Sequence, residues 1–126
     1  MLDLLLYAMI LAGFQVMLPN VIGLMNQKYT LSFLLSARDN APEITLMNAR
    51  ARRAWLNLME SMPFFIALSI IGLMQGQDLS YLMLVWLISR VIYVPAYVFD
   101  IPYLRTLTWL VSIVMLVQMG IAVSAA

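Results

Sequence analysis

The stretch RRAWLNLMESMPFF, residues 52–65, opens a long apolar run with polar groups already inside it. Arg53, Asn57 and Glu60 recur at spacings of four and three, and Pro63 stands three residues behind them. On a helix turning about 100° per residue, Arg50, Arg53, Asn57 and Glu60 fall within roughly 80° of one another. They form one face. Most other positions are Leu, Met, Ala, Trp or Phe, so the fold depends on what medium surrounds that face.

Composition decides the medium. Hydrophobic residues make up 64% of the 126 positions and charged residues 10%, with mean hydropathy +0.94. Soluble domains average about 45–50% apolar and about 25% charged. A chain of this length forms one domain, and this one has too few polar groups to cover a water-facing surface. It belongs in a bilayer. The net charge of +1 supplies no basic field for nucleic acid. Cys and His are both absent, which excludes disulfides, thiolate metal sites, a Cys nucleophile and an imidazole general base. No metal centre is expected. The eleven Met residues read as gap fillers in helix packing.

A bilayer crossing takes about 20 mainly apolar residues. Four segments supply them, at about 4–25, 46–75, 79–98 and 103–124. The first carries Asp3 and no basic residue ahead of its apolar stretch, unlike a secretory signal, and reads as a retained span. The expected fold is therefore all-α, a single integral membrane four-helix bundle. Residues 75–78 and 99–102 are tight connections. The one long loop runs from Asn26 to Thr45, and ARDNAPE within it, residues 37–43, reads as irregular and solvated.

The basic residues are Lys28, Arg38, Arg50, Arg52, Arg53, Arg90 and Arg105. Five lie in or beside the long loop, and the last two flank the connection between spans three and four. The opposite side carries Asp3 and Asp78 and no base. The positive-inside rule places the long loop in the cytoplasm and both termini outside.

An ionisable group inside a span costs about 2.5–3.5 kcal/mol on insertion scales and defaults to a functional role. The bland alternative is an internal Arg53–Glu60 ion pair serving as packing glue. A second stripe argues for a site. In SRVIYVPAYVFDIPYLRTLTW, residues 89–109, Arg90, Tyr93 and Tyr97 share one face of span three, and Arg105 opens span four. Turned together, the stripes make a pocket of guanidinium groups, one carboxylate, one amide and two phenols, suited to a small zwitterionic peptide. Pro63 and Pro95 each remove a helical hydrogen bond beside a stripe, which loosens the backbone there.

With both stripes in view, the chain resembles the MAPEG family, the membrane-associated proteins of eicosanoid and glutathione metabolism, and in particular its short bacterial members. The pattern R-x-x-R-x-x-x-N-x-x-E-x-x-P-x-F is filled by Arg50, Arg53, Asn57, Glu60, Pro63 and Phe65. The pattern R-x-x-Y-x-x-x-Y followed by I-P-Y-L-R-T is filled by Arg90, Tyr93, Tyr97 and residues 101–106. The resemblance implies a homotrimer in a bacterial inner membrane, surrounded by lipid, with glutathione as co-substrate between neighbouring subunits. It implies that Arg38, Arg50, Arg53, Asn57, Glu60, Arg90, Tyr93, Tyr97 and Arg105 bind glutathione, with Glu60 on the amine. Arg105 and Tyr97 are implied to be catalytic; Thr106, next along the chain, is a candidate hydroxyl donor by position alone.

The chemistry so implied fits a chain without Cys or His. A thiol of pKa about 8.5 is only slightly ionised at pH 7, and an adjacent guanidinium favours the thiolate. The expected activity is attack of that thiolate on a lipophilic electrophile or hydroperoxide, a detoxifying transferase or peroxidase. A catalytically silent glutathione-binding scaffold would show the same residues. A small multidrug-type exporter also has four short spans, but it carries its membrane Glu in the first; here that span holds Asp3 and Asn20.

Overall fold

Long uninterrupted apolar stretches leave the backbone no partner but itself in a bilayer, and that dictates helices. A computed structural model describes all 126 residues and contains helices and no strands. In chain order they are α1 (Leu2–Met25), α2 (Leu31–Leu35), α3 (Leu46–Met74), α4 (Ser80–Val98) and α5 (Pro102–Ser124). All but α2 are long and apolar enough to cross a membrane. The protein is an all-α, multi-pass membrane protein.

The long loop holds one short helix ahead of its irregular ARDNAPE stretch. Thr30 accepts a hydrogen bond from the Phe33 amide at 3.1 Å, and Tyr29 stacks on Phe33 with ring centroids 5.1 Å apart. An N-cap and one aromatic pair suffice for the single turn α2. The ARDNAPE segment beyond it is exposed at most positions and carries no helix.

Helices α3 and α4 are the central pair, with α1 packed on one side and α5 on the other. Their shared core is built around Phe65 and Trp86, both fully buried, whose rings stack with centroids 3.9 Å apart. Leu58, Met83 and Met119 fill the space around them. Between lipid-bathed helices the hydrophobic effect is silent, so such close packing must hold the bundle. Large apolar side chains such as Phe64, Met74, Tyr81 and Tyr103 are left on the outside, as a lipid-facing surface allows.

Three helices contain an interior proline, at Pro19, Pro63 and Pro95, yet each runs on through it. Near the first, Asn48 at the start of α3 donates its amide to the Pro19 carbonyl at 2.8 Å, a buried bond that ties α1 to α3. Helices α1, α3 and α4 end alike. In each, the residue after the cap adopts left-handed φ (Gln27, Gly76 and Asp100), and the following amide bonds back to a carbonyl five residues earlier. This is the Schellman stop. It turns α4 sharply into α5, with Pro102 as the first residue of the new helix.

Candidate functional site

The two stripes meet between α3, α4 and α5. Arg90 is 0% exposed, and its Nη2 donates to Asn57 Oδ1 at 2.9 Å. Its guanidinium lies 4.4 Å from the centre of the Tyr93 ring. The remaining donors, Nε and Nη1, are buried with no hydrogen-bond partner. A guanidinium has five N–H donors and no acceptor, so Arg90 arrives at this position with bonds still to give.

Tyr93 and Tyr97, one turn apart on α4, meet edge to face at 5.5 Å. Two further guanidinium groups approach Tyr97: Arg105 of α5 at 5.1 Å from the ring centre and Arg53 of α3 at 6.0 Å. Cation–π attraction operates over that range. Beside these groups opens a cavity of about 330 Å³ lined by Asn57, Tyr93, Tyr97, Arg105, Thr106 and Trp109. Three helices thus bring one amide, two phenols and the Arg105 guanidinium to one recess, with Arg90 and Arg53 near its tyrosine rings.

Other residues of the stripes go elsewhere. Arg53 and Glu60 do not pair: the ion pairs of the chain are Arg50–Asp100 at 3.4 Å and Arg105–Asp100 at 3.8 Å. Both Arg53 and Glu60 point outward and are exposed. Arg50 leaves the stripe to reach Asp100 beyond the end of α4. Arg38 is not beside the cavity. Its guanidinium folds back to donate to the Leu34 carbonyl at 3.0 Å, and it lines a second recess with Arg52, Trp55, Asn48 and Tyr29. That recess lies roughly on the opposite side of α3, since Arg52 and Trp55 are turned well away from Asn57 on a helix of about 100° per residue.

Trp109 and Asp100 were not among the expected site residues. Trp109 sits four residues beyond Arg105, a spacing that puts both on one face of α5 and could have disclosed it. Asp100 offered a weaker signal, an acid in a tight connection beside two basic helix starts. Gln15 of α1 gave none; it is fully buried with both amide atoms unpartnered.

The recess can accept negative charge at Arg105, while Glu60 lies outside its lining, exposed on the same helix as Asn57. No group of three or more His, Cys, Asp or Glu residues is placed to hold a metal. Comparison with known proteins gives one family: the MAPEG family model matches residues 4–125. No curated protein and no solved structure matches the chain.

Proposed function

The chain belongs to the MAPEG family, and from that membership we propose that it is a glutathione-dependent transferase or peroxidase acting on lipophilic electrophiles or hydroperoxides. The observation that carries the reading is the placement of Arg105 in the cavity lining, 5.1 Å from the centre of the Tyr97 ring, with Arg53 6.0 Å from the same ring centre. The buried, unpartnered donors of Arg90 add to the fit for an anionic peptide.

Glutathione supplies the thiol nucleophile. Arg53 and Asn57 hold its carboxyl-bearing end, and Glu60 takes the amine. Arg105 stabilises negative charge on sulfur, so the proton leaves to water and no protein base is required. A shift of two pKa units toward the thiolate corresponds to about 2.7 kcal/mol, within the range of a charge-assisted contact in a poorly solvated site. Tyr97 packs its ring against the guanidinium and donates its hydroxyl to the sulfur, and Tyr93 lines the wall.

Self-association belongs to this reading. Arg53 and Glu60 face out of the single chain, and Arg38 lines a recess on the other side of α3. A homotrimer in which each recess meets the neighbouring chain's stripe places Arg38 beside the same peptide. The basic end of the bundle, with the site, faces the cytoplasm of a bacterial inner membrane. A reporter fused after Ala126 then reads as non-cytoplasmic and a tag near Asn40 as cytoplasmic; the reverse pattern overturns the sidedness.

The decisive test is stopped-flow absorbance in the thiolate band on the purified protein mixed with glutathione, followed by a panel of electrophiles and hydroperoxides. Thiolate formation with turnover is expected. Binding without thiolate or turnover would show a silent scaffold instead.

A further inference from the structure

Of the three helices that end in a Schellman stop, one has an acid at the position where glycine is the default. The left-handed residue is Gln27 after α1 (φ 61°), Gly76 after α3 (φ 68°) and Asp100 after α4 (φ 55°). Asp100 meets a penalty there, since its Cβ is disfavoured at positive φ. Its carboxylate lies between the negative end of the α4 dipole and the positive end of the α5 dipole, which offset each other. Gly76 carries no Cβ and escapes the backbone cost.

What Asp100 gains is reach. One carboxylate oxygen, Oδ2, lies 3.4 Å from Arg50 Nη2 and the other, Oδ1, lies 3.8 Å from Arg105 Nη1. The two oxygens are divided between two guanidinium groups. A single side chain therefore joins the start of α3 to the start of α5 across the end of α4. The Arg105 held in this way is the one that lies over Tyr97 at the rim of the cavity. A flexible, partly exposed guanidinium would otherwise turn toward water, where its hydration is best.

We propose that Asp100 is a positioning residue of the site: its carboxylate fixes the Arg105 guanidinium against Tyr97 and ties it, through Arg50, to the helix that bears the polar stripe. The catalytic consequence rests on the glutathione reading above; the restraint on Arg105 does not. Asp100 itself touches neither the cavity nor the peptide.

The test uses Asp100→Asn, because Asn tolerates the left-handed backbone and lacks the charge. The variant is expected to fold and to melt close to the wild-type temperature, since exposed ion pairs contribute little to stability. Without ligand, the Arg105 Nε–H should lose rotational order by ¹⁵N NMR relaxation in detergent. With glutathione, the apparent pKa of the bound thiol should rise and kcat should fall about three- to fivefold, the scale of a partly exposed ion pair. KM for glutathione should move less. In an Arg105→Leu background the same substitution should add nothing. Unchanged order of Arg105 in Asp100→Asn overturns the proposal whatever the ligand does. A kinetic effect that persists in full beside Arg105→Leu also overturns it, leaving Asp100 as plain support for the turn. A wild type that forms no thiolate defeats the glutathione reading alone, and the order measurement still decides this one.

Discussion

The two ends of α4 carry an acid each, in turns of similar length, and put it to opposite uses. At the start, Asp78 accepts from the Ser80 amide at 3.0 Å. The Ser80 hydroxyl, and then its amide, hold the Asp78 carboxyl below its usual pKa. A negative charge at a helix N-terminus is where the dipole favours it. The turn is further stapled by neutral bonds, Gln75 and Gln77 each donating to a carbonyl of α5 at 3.1 Å. Local rules are obeyed there and the polar groups largely satisfy one another. At the far end, Asp100 takes left-handed φ between the end of α4 and the start of α5, and its partners are two arginines drawn from α3 and α5. One end of the helix is closed by hydrogen bonds. The other keeps charge available.

The comparison can be broken most easily at Arg105. On the proposed function, Arg105→Leu returns the bound thiol's apparent pKa toward its free value of about 8.5 and lowers turnover at pH 7 roughly 25-fold, the fall in thiolate fraction for a two-unit shift. A pH titration of thiolate absorbance, with turnover measured alongside, checks it. An unchanged pKa would reduce Arg105 to an interfacial anchor. Arg53→Ala and Glu60→Ala should each weaken glutathione binding by about 1.5–3 kcal/mol, the worth of a hydrogen bond to a charged group. Isothermal titration in detergent reads the loss, and size-exclusion chromatography should find the assembly intact. Loss of the oligomer in both, with no separate binding defect, would make the stripe structural.

The closed end should respond in stability and not in binding. Gly76→Ala forces a Cβ into left-handed φ where no neighbour lies within 4 Å, so the backbone alone sets the cost, about 1–2 kcal/mol. Thermal melting should show it while glutathione affinity stays put. Tyr97→Phe is expected to have the smallest effect of the five. Losing one neutral hydroxyl forfeits about 1 kcal/mol, or roughly fivefold in kcat/KM. A loss as large as that of Arg105→Leu would make the phenol, not the guanidinium, the main support of the thiolate.

Much of this was legible in the chain. Hydropathy marks the four long helices because a bilayer imposes one rule on every residue of a span. The stripe spacings bring Asn57, Arg90, Tyr93, Tyr97 and Arg105 together because helix periodicity fixes which residues share a face. What escaped depends on how helices meet. Arg53 and Glu60 share a face of α3, yet they lie two turns apart and both project outward, which spacing alone does not reveal. Arg50 shares that face too, and is drawn from it by Asp100, fifty positions away. The buried amides of Gln15 and Asn48 sit in helix stretches whose local pattern is unremarkable. Turn α2 is five residues long, too short for any periodicity to register.

The bond from Arg90 to Asn57 bears on how the chain enters its membrane. An isolated α4 would carry a guanidinium into hydrocarbon at about 2.5–3.5 kcal/mol on insertion scales, while α3 would carry an amide and, at its start, three further arginines. Paired, each offers the other its polar partner at 2.9 Å, and the connection from Gln75 to Leu79 is short enough to keep them adjacent during synthesis. Partition into lipid is therefore favoured for α3 and α4 as a hairpin rather than one helix at a time. Biogenesis has its own stake in Arg90, apart from any substrate.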